Sequence, residues 1–259
     1  MWDPGQYLSF ADERSRPFFD LAGRIAAKTP GYVVDLGCGP GQLTAELARR
    51  WPRAAVVGID SSTEMIEAAI AARYGGDGFG RRLSFELGDV RDFKPDRPVD
   101  VIISNAVLQW VPDHLDLLPR WAGYLAEGGW LAIQLPGNFD QPSHAVLREL
   151  AGSDRWRDRL AGVRLNRQAA DLISYLDVLT TAGLSVDAWE TTYLHLLHGP
   201  DPVTDWYKGT GLRPVLTALG SQEAAEFVEQ YGERVRAAYP AAPYGTVLPF
   251  RRVFVVAHR

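Results

Sequence analysis

The run Val33-Val34-Asp35-Leu36-Gly37-Cys38-Gly39-Pro40-Gly41-Gln42 combines one acid with three closely spaced glycines, residue types suited to holding a nucleotide-like ligand. Two β-branched residues lead into the turn, and Leu43, Leu47, Ala48 and Trp51 return beyond it at helical spacing, so the turn joins a buried strand to a helix. Glycines let the main chain pass close to a bound molecule, while Asp35 offers acceptors at the strand's carboxyl end, where open α/β sheets bind ligands. Gly37, Gly39 and Gly41 form G-x-G-x-G after an acid, unlike the G-x-G-x-x-G that aims a helix N-terminus at a pyrophosphate. A diphosphate would be repelled by Asp35, whereas a cationic amino-acid tail and a sulfonium would be attracted. This favours S-adenosylmethionine over NAD and over a plain tight connection. Cys38, between two of the glycines, reads as a small residue in a crowded turn rather than as a nucleophile.

A second acid stands about 20 residues on, where a carboxylate can accept bonds from ribose hydroxyls. Val56-Val57-Gly58-Ile59-Asp60 is a short apolar strand ending in Asp60. The ribose role is favoured over the alternative, in which Asp60 merely precedes a helix from Glu64 to Ala72 capped by Ser61 or Ser62. Leu83 to Val90 reads as a third strand with Asp89 at its end. Asp89 is either an acceptor for an adenine amino group, with the Val90 main chain beside it, or a turn residue after Gly88.

These groups need a scaffold, and 259 residues with 46% apolar composition can bury one substantial core. No stretch approaches the roughly 20 apolar residues of a membrane span, and Met1-Trp2-Asp3-Pro4 lacks a signal-peptide layout, so a cytoplasmic protein is expected. One cysteine excludes an internal disulfide. A net charge of −5 without any basic run disfavours nucleic acid, leaving a small molecule as the expected partner. The 27 basic residues include only three lysines, Lys28, Lys94 and Lys208. Arginine forks grip carboxylates, although a genome-wide bias produces the same skew.

After a helix from about Ala11 to Lys28, strands and helices alternate: Tyr32 to Leu36, Gln42 to Trp51, Ala55 to Asp60, Glu64 to Ala72, Leu83 to Leu87, Val99 to Asn105, His114 to Ala126, Trp130 to Leu135. Such alternation implies a doubly wound, mostly parallel α/β sheet. Helices follow at Ser143 to Gly152 and Gln168 to Gly183, then a strand from Leu184 to Leu197. Helices at Pro202 to Lys208 and Gln222 to Tyr239 precede a last strand from Val247 to His258. The last two strands can pair antiparallel at the sheet edge. A single domain is expected, with a helical cover over 1–30, a ligand-binding core over 31–136, and helical lid insertions over 137–183 and 199–245.

Seven strands with an antiparallel final hairpin resemble the class I S-adenosylmethionine-dependent methyltransferases, which implies the strand order 3-2-1-4-5-7-6. Further segments resemble the trans-aconitate 2-methyltransferase family. They are Tyr7-Leu8-Ser9-Phe10 with Glu13-Arg14-Ser15-Arg16-Pro17, Ile59-Asp60-Ser61-Ser62, Asn105-Ala106-Val107-Leu108-Gln109-Trp110 with Pro112-Asp113-His114, Thr191-Thr192-Tyr193-Leu194-His195, Thr210-Gly211-Leu212-Arg213-Pro214 and Phe250-Arg251-Arg252-Val253-Phe254. The similarity spans nearly the whole chain. It implies an O-methyltransferase in which a carboxylate of a tricarboxylate attacks the donor methyl, giving a monomethyl ester and S-adenosylhomocysteine with no metal. A carboxylic acid is already ionised at pH 7, so no general base is needed and no catalytic residue is assigned beyond positioning groups. To the donor site the resemblance adds Ser61, Met65, Asn105, Ala106 and Trp110. To the acid it assigns Arg14, Arg213 and Arg252 foremost, with Tyr7, Gln109, Arg164, Tyr193, His195, Trp206 and Lys208 as wall residues. Tyr193 and His195 alternate on one strand face and so reach the same pocket. His195 reads equally as a core histidine on a backbone carbonyl, and Trp110 as helix–sheet core. The competing functions are a methyltransferase for another small or carrier-linked acid, and a donor-binding sensor or interaction module. The sequence leaves oligomeric state and the esterified carboxylate open.

Overall fold

The chain places its β-branched residues in the centre of a sheet and its amphipathic segments around it. The computed structural model describes residues 11–72, 74, 78–165 and 169–259. Helix α1 covers Ala11–Arg24, followed by β1 Tyr32–Leu36, α2 Gln42–Arg50, β2 Ala55–Asp60, α3 Thr63–Ala71, β3 Leu83–Leu87, β4 Val99–Asn105, α4 Leu118–Gly123 and β5 Leu125–Pro136. Then come α5 Pro142–Ala151, α6 Leu172–Thr181, β6 Ser185–Leu197, α7 Pro202–Lys208, α8 Arg213–Ala218, α9 Ser221–Ala238, β7 Ala241–Ala242 and β8 Gly245–His258.

The sheet order is β3-β2-β1-β4-β5-β8-β6, with the two-residue β7 paired to β8. The expected order of seven is therefore met, with the short β7 as an extra strand. β1 pairs parallel with both β2 and β4, so Val33, Val34 and Leu36 are buried on both faces. The last strand runs against β5. Arg259 N donates to Gly129 O and Gly137 N donates to Arg251 O, so one strand ascends as the other descends.

Two compact units make up the chain. The larger, Arg14–Leu135 with Ala169–Thr191 and Val253–Arg259, carries β1 to β5. Its core brings Val34, Ile102, Leu131 and Ile133 of the sheet against Leu118 and Trp121 of α4 and Tyr175 and Leu179 of α6. Fully burying side chains of this size is worth about 1.5–3 kcal/mol each. The other unit takes its described residues from 11–13, 136–165 and 192–252. It has its own core, in which Leu147 and Leu150 of α5, Trp206 and Tyr207 of α7 and Phe227 and Tyr231 of α9 pack together with Trp156.

Several boundaries differ from the sequence reading. The helix expected from His114 to Ala126 is a 3-10 turn, His114–Leu117, followed by α4, because β5 begins five residues earlier than its apolar run suggests. Gly128 and Gly129 look like a turn in sequence, yet they form an irregularity inside the strand, where the β4–β5 register jumps from Val99↔Leu125 to Val101↔Trp130. α8 and β7 were not anticipated, being six and two residues long.

α1 stops short of Lys28. Carbonyls in its last turn and just beyond it are taken from outside: Arg50 on α2 donates to Ala22 O at 2.6 Å and to Ile25 O at 2.7 Å, and Trp51 Nε1 donates to Ala27 O. Arg50→Met keeps the aliphatic stem and loses both charge-assisted bonds. It should lower unfolding stability by about 1–3 kcal/mol in urea titration without changing the slope; an unchanged midpoint would show that water replaces the guanidinium at no cost.

Candidate functional site

The turn after β1 is shaped by three left-handed glycines, at φ 82° for Gly37, 55° for Gly39 and 82° for Gly41. A Cβ on Gly37 would lie 2.0 Å from Cγ2 of Val107, and one on Gly41 would lie 2.6 Å from the Phe85 ring. Gly39 differs, since a Cβ there would meet nothing within 4 Å. Gly37 and Gly41 thus admit the protein's own neighbours, while Gly39 presents bare main chain to open space.

Asp35 is 3% exposed, and Thr44 Oγ1 on α2 donates to its Oδ2 at 2.6 Å. Burial pushes its pKa up to about 7; the Thr44 bond opposes this and the charge of Asp60 adds to it. Cys38 is buried, with its Sγ against the position a Gly58 Cβ would take, so each residue limits the size of the other. Burial first, then Asp35 and Asp60, raise the Cys38 thiol pKa, which fits the packing role expected of it.

Asp60 links two turns. Its Oδ2 accepts from Gly39 N and its Oδ1 from Ser62 N, each at 2.9 Å. Ser62, not Ser61, caps α3, accepting from Met65 N at 3.3 Å; Ser61 is exposed and Met65 half-buried. Both Asp60 oxygens retain a lone pair for a further donor. Asp89 closes a turn: its Oδ1 accepts from Arg91 N at 2.8 Å and its Oδ2 pairs with the Arg91 guanidinium at 2.6 Å. That bond from Arg91 holds the Asp89 carboxyl below its usual range, and Val90 beside it is buried.

At the end of β4 the chain turns sharply. Ala106 has φ 57°, rare for a residue with a Cβ, and its carbonyl accepts from Gln109 Nε2 at 2.6 Å. Ser104 Oγ donates to Leu36 O, tying this corner to β1. Trp110 follows in a 3-10 turn and is 50% exposed, which corrects the reading of it as helix–sheet core.

In the other unit, Tyr193, His195 and Leu197 alternate as the buried face of β6, as their spacing implied. His195 stacks on Trp206 with centroids 4.8 Å apart and lies 5.8 Å from Phe250. The Arg252 guanidinium lies over the Phe250 ring at 4.4 Å and the residue is 6% exposed, while Arg251 faces the other way toward Asp140. Trp206 belongs to this unit's core, and Lys208 is ion-paired with Asp205 at 2.9 Å. Arg213 is half-buried at the start of α8, and Arg164 is exposed. Tyr7 lies outside the described residues, as does the side chain of Arg14, whose main chain is in α1.

A family model described as a methyltransferase domain matches residues 7–184. Over 261 residues the chain is 55% identical to a trans-aconitate 2-methyltransferase of Streptomyces avermitilis, covering 100% of this chain and 97% of the relative. It is 54% identical to one of Streptomyces coelicolor, covering 100% and 86%. The chain belongs to the trans-aconitate 2-methyltransferase family. Among solved structures, phosphoethanolamine N-methyltransferase 2 of Haemonchus contortus, in complex with S-adenosyl-L-methionine, superposes with TM-score 0.57 at 16% identity. The match covers 94% of this chain and about half, 52%, of that one, and shows the shared fold.

Within this family member the sequence reading passed over Thr44, Phe85, Val107 and Gln134. Only Gln134 carried a legible signal, a lone amide inside the apolar run Trp130 to Leu135. Asp35 yields a measurable consequence. Its carboxyl binds a proton more tightly when folded than its ordinary value of 3.8 allows, so between about pH 4 and 7 the native state holds more protons than the unfolded one. Stability from this group is therefore greatest at the acid end and falls as pH rises through about 7. Asp35→Asn keeps an acceptor for Thr44 and cannot ionise. Its melting temperature should decline less steeply than wild type between pH 5 and 8; parallel curves would place the Asp35 titration outside that window.

Proposed function

We propose that the protein transfers the methyl group of S-adenosyl-L-methionine to a carboxylate of trans-aconitate, forming the monomethyl ester. The observation that carries this reading is the 55% identity to a trans-aconitate 2-methyltransferase, which extends over the entire chain and so over both units. When bound, S-adenosyl-L-methionine supplies a methyl on positively charged sulfur; a carboxylate oxygen takes it, and the C–S bonding pair stays on sulfur as S-adenosylhomocysteine.

The donor-site residues fit such a molecule. Gly39 leaves open space beside bare main chain, with Gly37, Cys38 and Gly41 completing the turn. Asp60 has lone pairs left for ribose hydroxyls, with Ser61 and Met65 next to it, and Asp89 and Val90 flank the base. Asn105, Ala106 and Trp110 close the far side, and the Asp35 carboxylate is complementary to the donor's cationic groups, which in turn favour its ionised form. The acid's charges fall to Arg252 and Arg213 with Arg14, and its walls to Tyr7, Gln109, Arg164, Tyr193, His195, Trp206 and Lys208. No residue needs to remove a proton, because the acid arrives ionised. The chain's work is to orient one carboxylate oxygen in line with the C–S bond and to exclude water while opposite charges cancel, effects that reach about 7–11 kcal/mol in well-oriented cases.

Incubating the protein with labelled donor and, separately, trans-aconitate, cis-aconitate, isocitrate and citrate tests the reading. Label should pass into a base-labile ester with trans-aconitate foremost; transfer only to another acid would reassign the substrate, and no transfer to any would leave a binding module. Arg252→Met removes a guanidinium fork and keeps side-chain volume over Phe250. The KM for trans-aconitate should rise about tenfold or more while S-adenosylhomocysteine affinity stays within twofold. A fall in kcat as well would show that the same grip aligns the attacking oxygen. Wild-type constants would remove Arg252 from the site.

A further inference from the structure

A concentration of unmet hydrogen-bonding capacity lies where β4 and β5 reach the carboxyl edge of the sheet. Gln134 on β5 is 1% exposed and sits directly across the ladder from Asn105 on β4. Neither atom of its carboxamide has a partner among the described residues, and Asn105 Oδ1 and Gln109 Oε1 are likewise shielded and unpartnered. Gln109 cannot be turned round to change this. Its Nε2 donates to Ala106 O, and a flipped amide would set oxygen against that carbonyl oxygen, acceptor against acceptor.

The same corner is strained at Ala106, and Val107 presses against Gly37 of the ligand-binding turn. Buried amides left unpaired oppose folding, so a cluster of them beside a strained corner points to a ligand that completes it. The inventory is three carbonyl oxygens and one NH2 group. An ammonium offers three N–H donors and a carboxylate needs N–H groups to accept from, so the complement is a zwitterion.

We propose that Gln134, with Asn105 and with Gln109 where the acid's wall meets the donor, binds the zwitterionic α-amino-acid tail of the methyl donor, the ammonium facing the carbonyl oxygens and the tail carboxylate facing Gln134 Nε2. The proposal rests on S-adenosyl-L-methionine being the donor, and makes Gln134 a tail-recognising residue of β5.

The test is Gln134→Leu, titrated with S-adenosylhomocysteine and with 5′-deoxy-5′-methylthioadenosine, which carries the same nucleoside and thioether but no amino-acid tail. Affinity for S-adenosylhomocysteine should fall about tenfold or more, affinity for methylthioadenosine should stay within twofold, and the unliganded melting temperature should hold or rise. Equal losses for both probes, or no loss for either, would overturn the proposal. Should the leucine variant fold poorly, Gln134→Glu is the near-isosteric substitute. Its carboxylate opposes the tail carboxylate, so the same selective loss is expected, and its absence counts equally against the assignment. A wild-type protein that binds neither probe would instead remove the donor reading itself.

Discussion

Val107 fills the space in which Gly37 would carry a side chain, and this contact holds the turn after β1 against the corner after β4. On the other side Ile59 O accepts from both Gly37 N and Cys38 N, and Asp60 accepts from Gly39 N. The glycine turn is thus clamped by the two strands that neighbour β1 in the sheet order. Its shape does not depend on a ligand. A ligand that meets it finds bare main chain already oriented at Gly39, which lowers the ordering cost of binding.

Rigidity of this kind has to be supplied by the strands beneath, and it is. Val33, Val34, Val101 and Ile102 are fully buried, so the carboxyl edge rests on close-packed apolar residues that cannot yield by small steps. Against that support the edge holds several groups that oppose folding: an acid whose charge is resisted by burial, an alanine at positive φ, and, among the described residues, unpartnered amide atoms at Asn105 Oδ1, Gln109 Oε1 and both ends of Gln134. The strained alanine and each unmet amide group carry a cost of about 1–3 kcal/mol. They lie together at one end of three adjacent strands. That clustering separates a functional edge from defects scattered through a core.

Much of this edge was legible in sequence for a physical reason. β1, β2 and β3 are short and end at a glycine or an acid, so length and punctuation agree, and the alternation of elements placed these three and β4, which ends in Asn105, to the residue. β5 defeated the same logic, because Gly128-Gly129 inside a bulge is indistinguishable from a turn until the partner strand is known. Asp60 was read as either ribose ligand or helix-adjacent residue; its carboxylate bonds serve the turn and the helix start at once. Gln134 is marked in sequence only as a lone amide in an apolar strand, which does not say what the amide meets. Whether its atoms find partners is a three-dimensional property. The acid-facing residues came from resemblance, with alternation deciding only which side of a strand each occupies.

That alternation has its own anchor. On β8, Leu248, Phe250 and Arg252 face the buried side while Arg251 faces Asp140, and a slip of one residue would exchange the two arginines. Gly245, at the start of the strand, has φ 122°, and a Cβ there would lie 2.9 Å from Leu197 O at the end of β6. Main chain meets main chain at that point, so no side chain can be moved aside to admit a larger residue. A strand pinned by such an approach keeps its phase for the residues that follow, because period-two alternation carries the constraint forward without further contacts. The face on which the buried guanidinium stacks over Phe250 is therefore set by a glycine seven residues earlier.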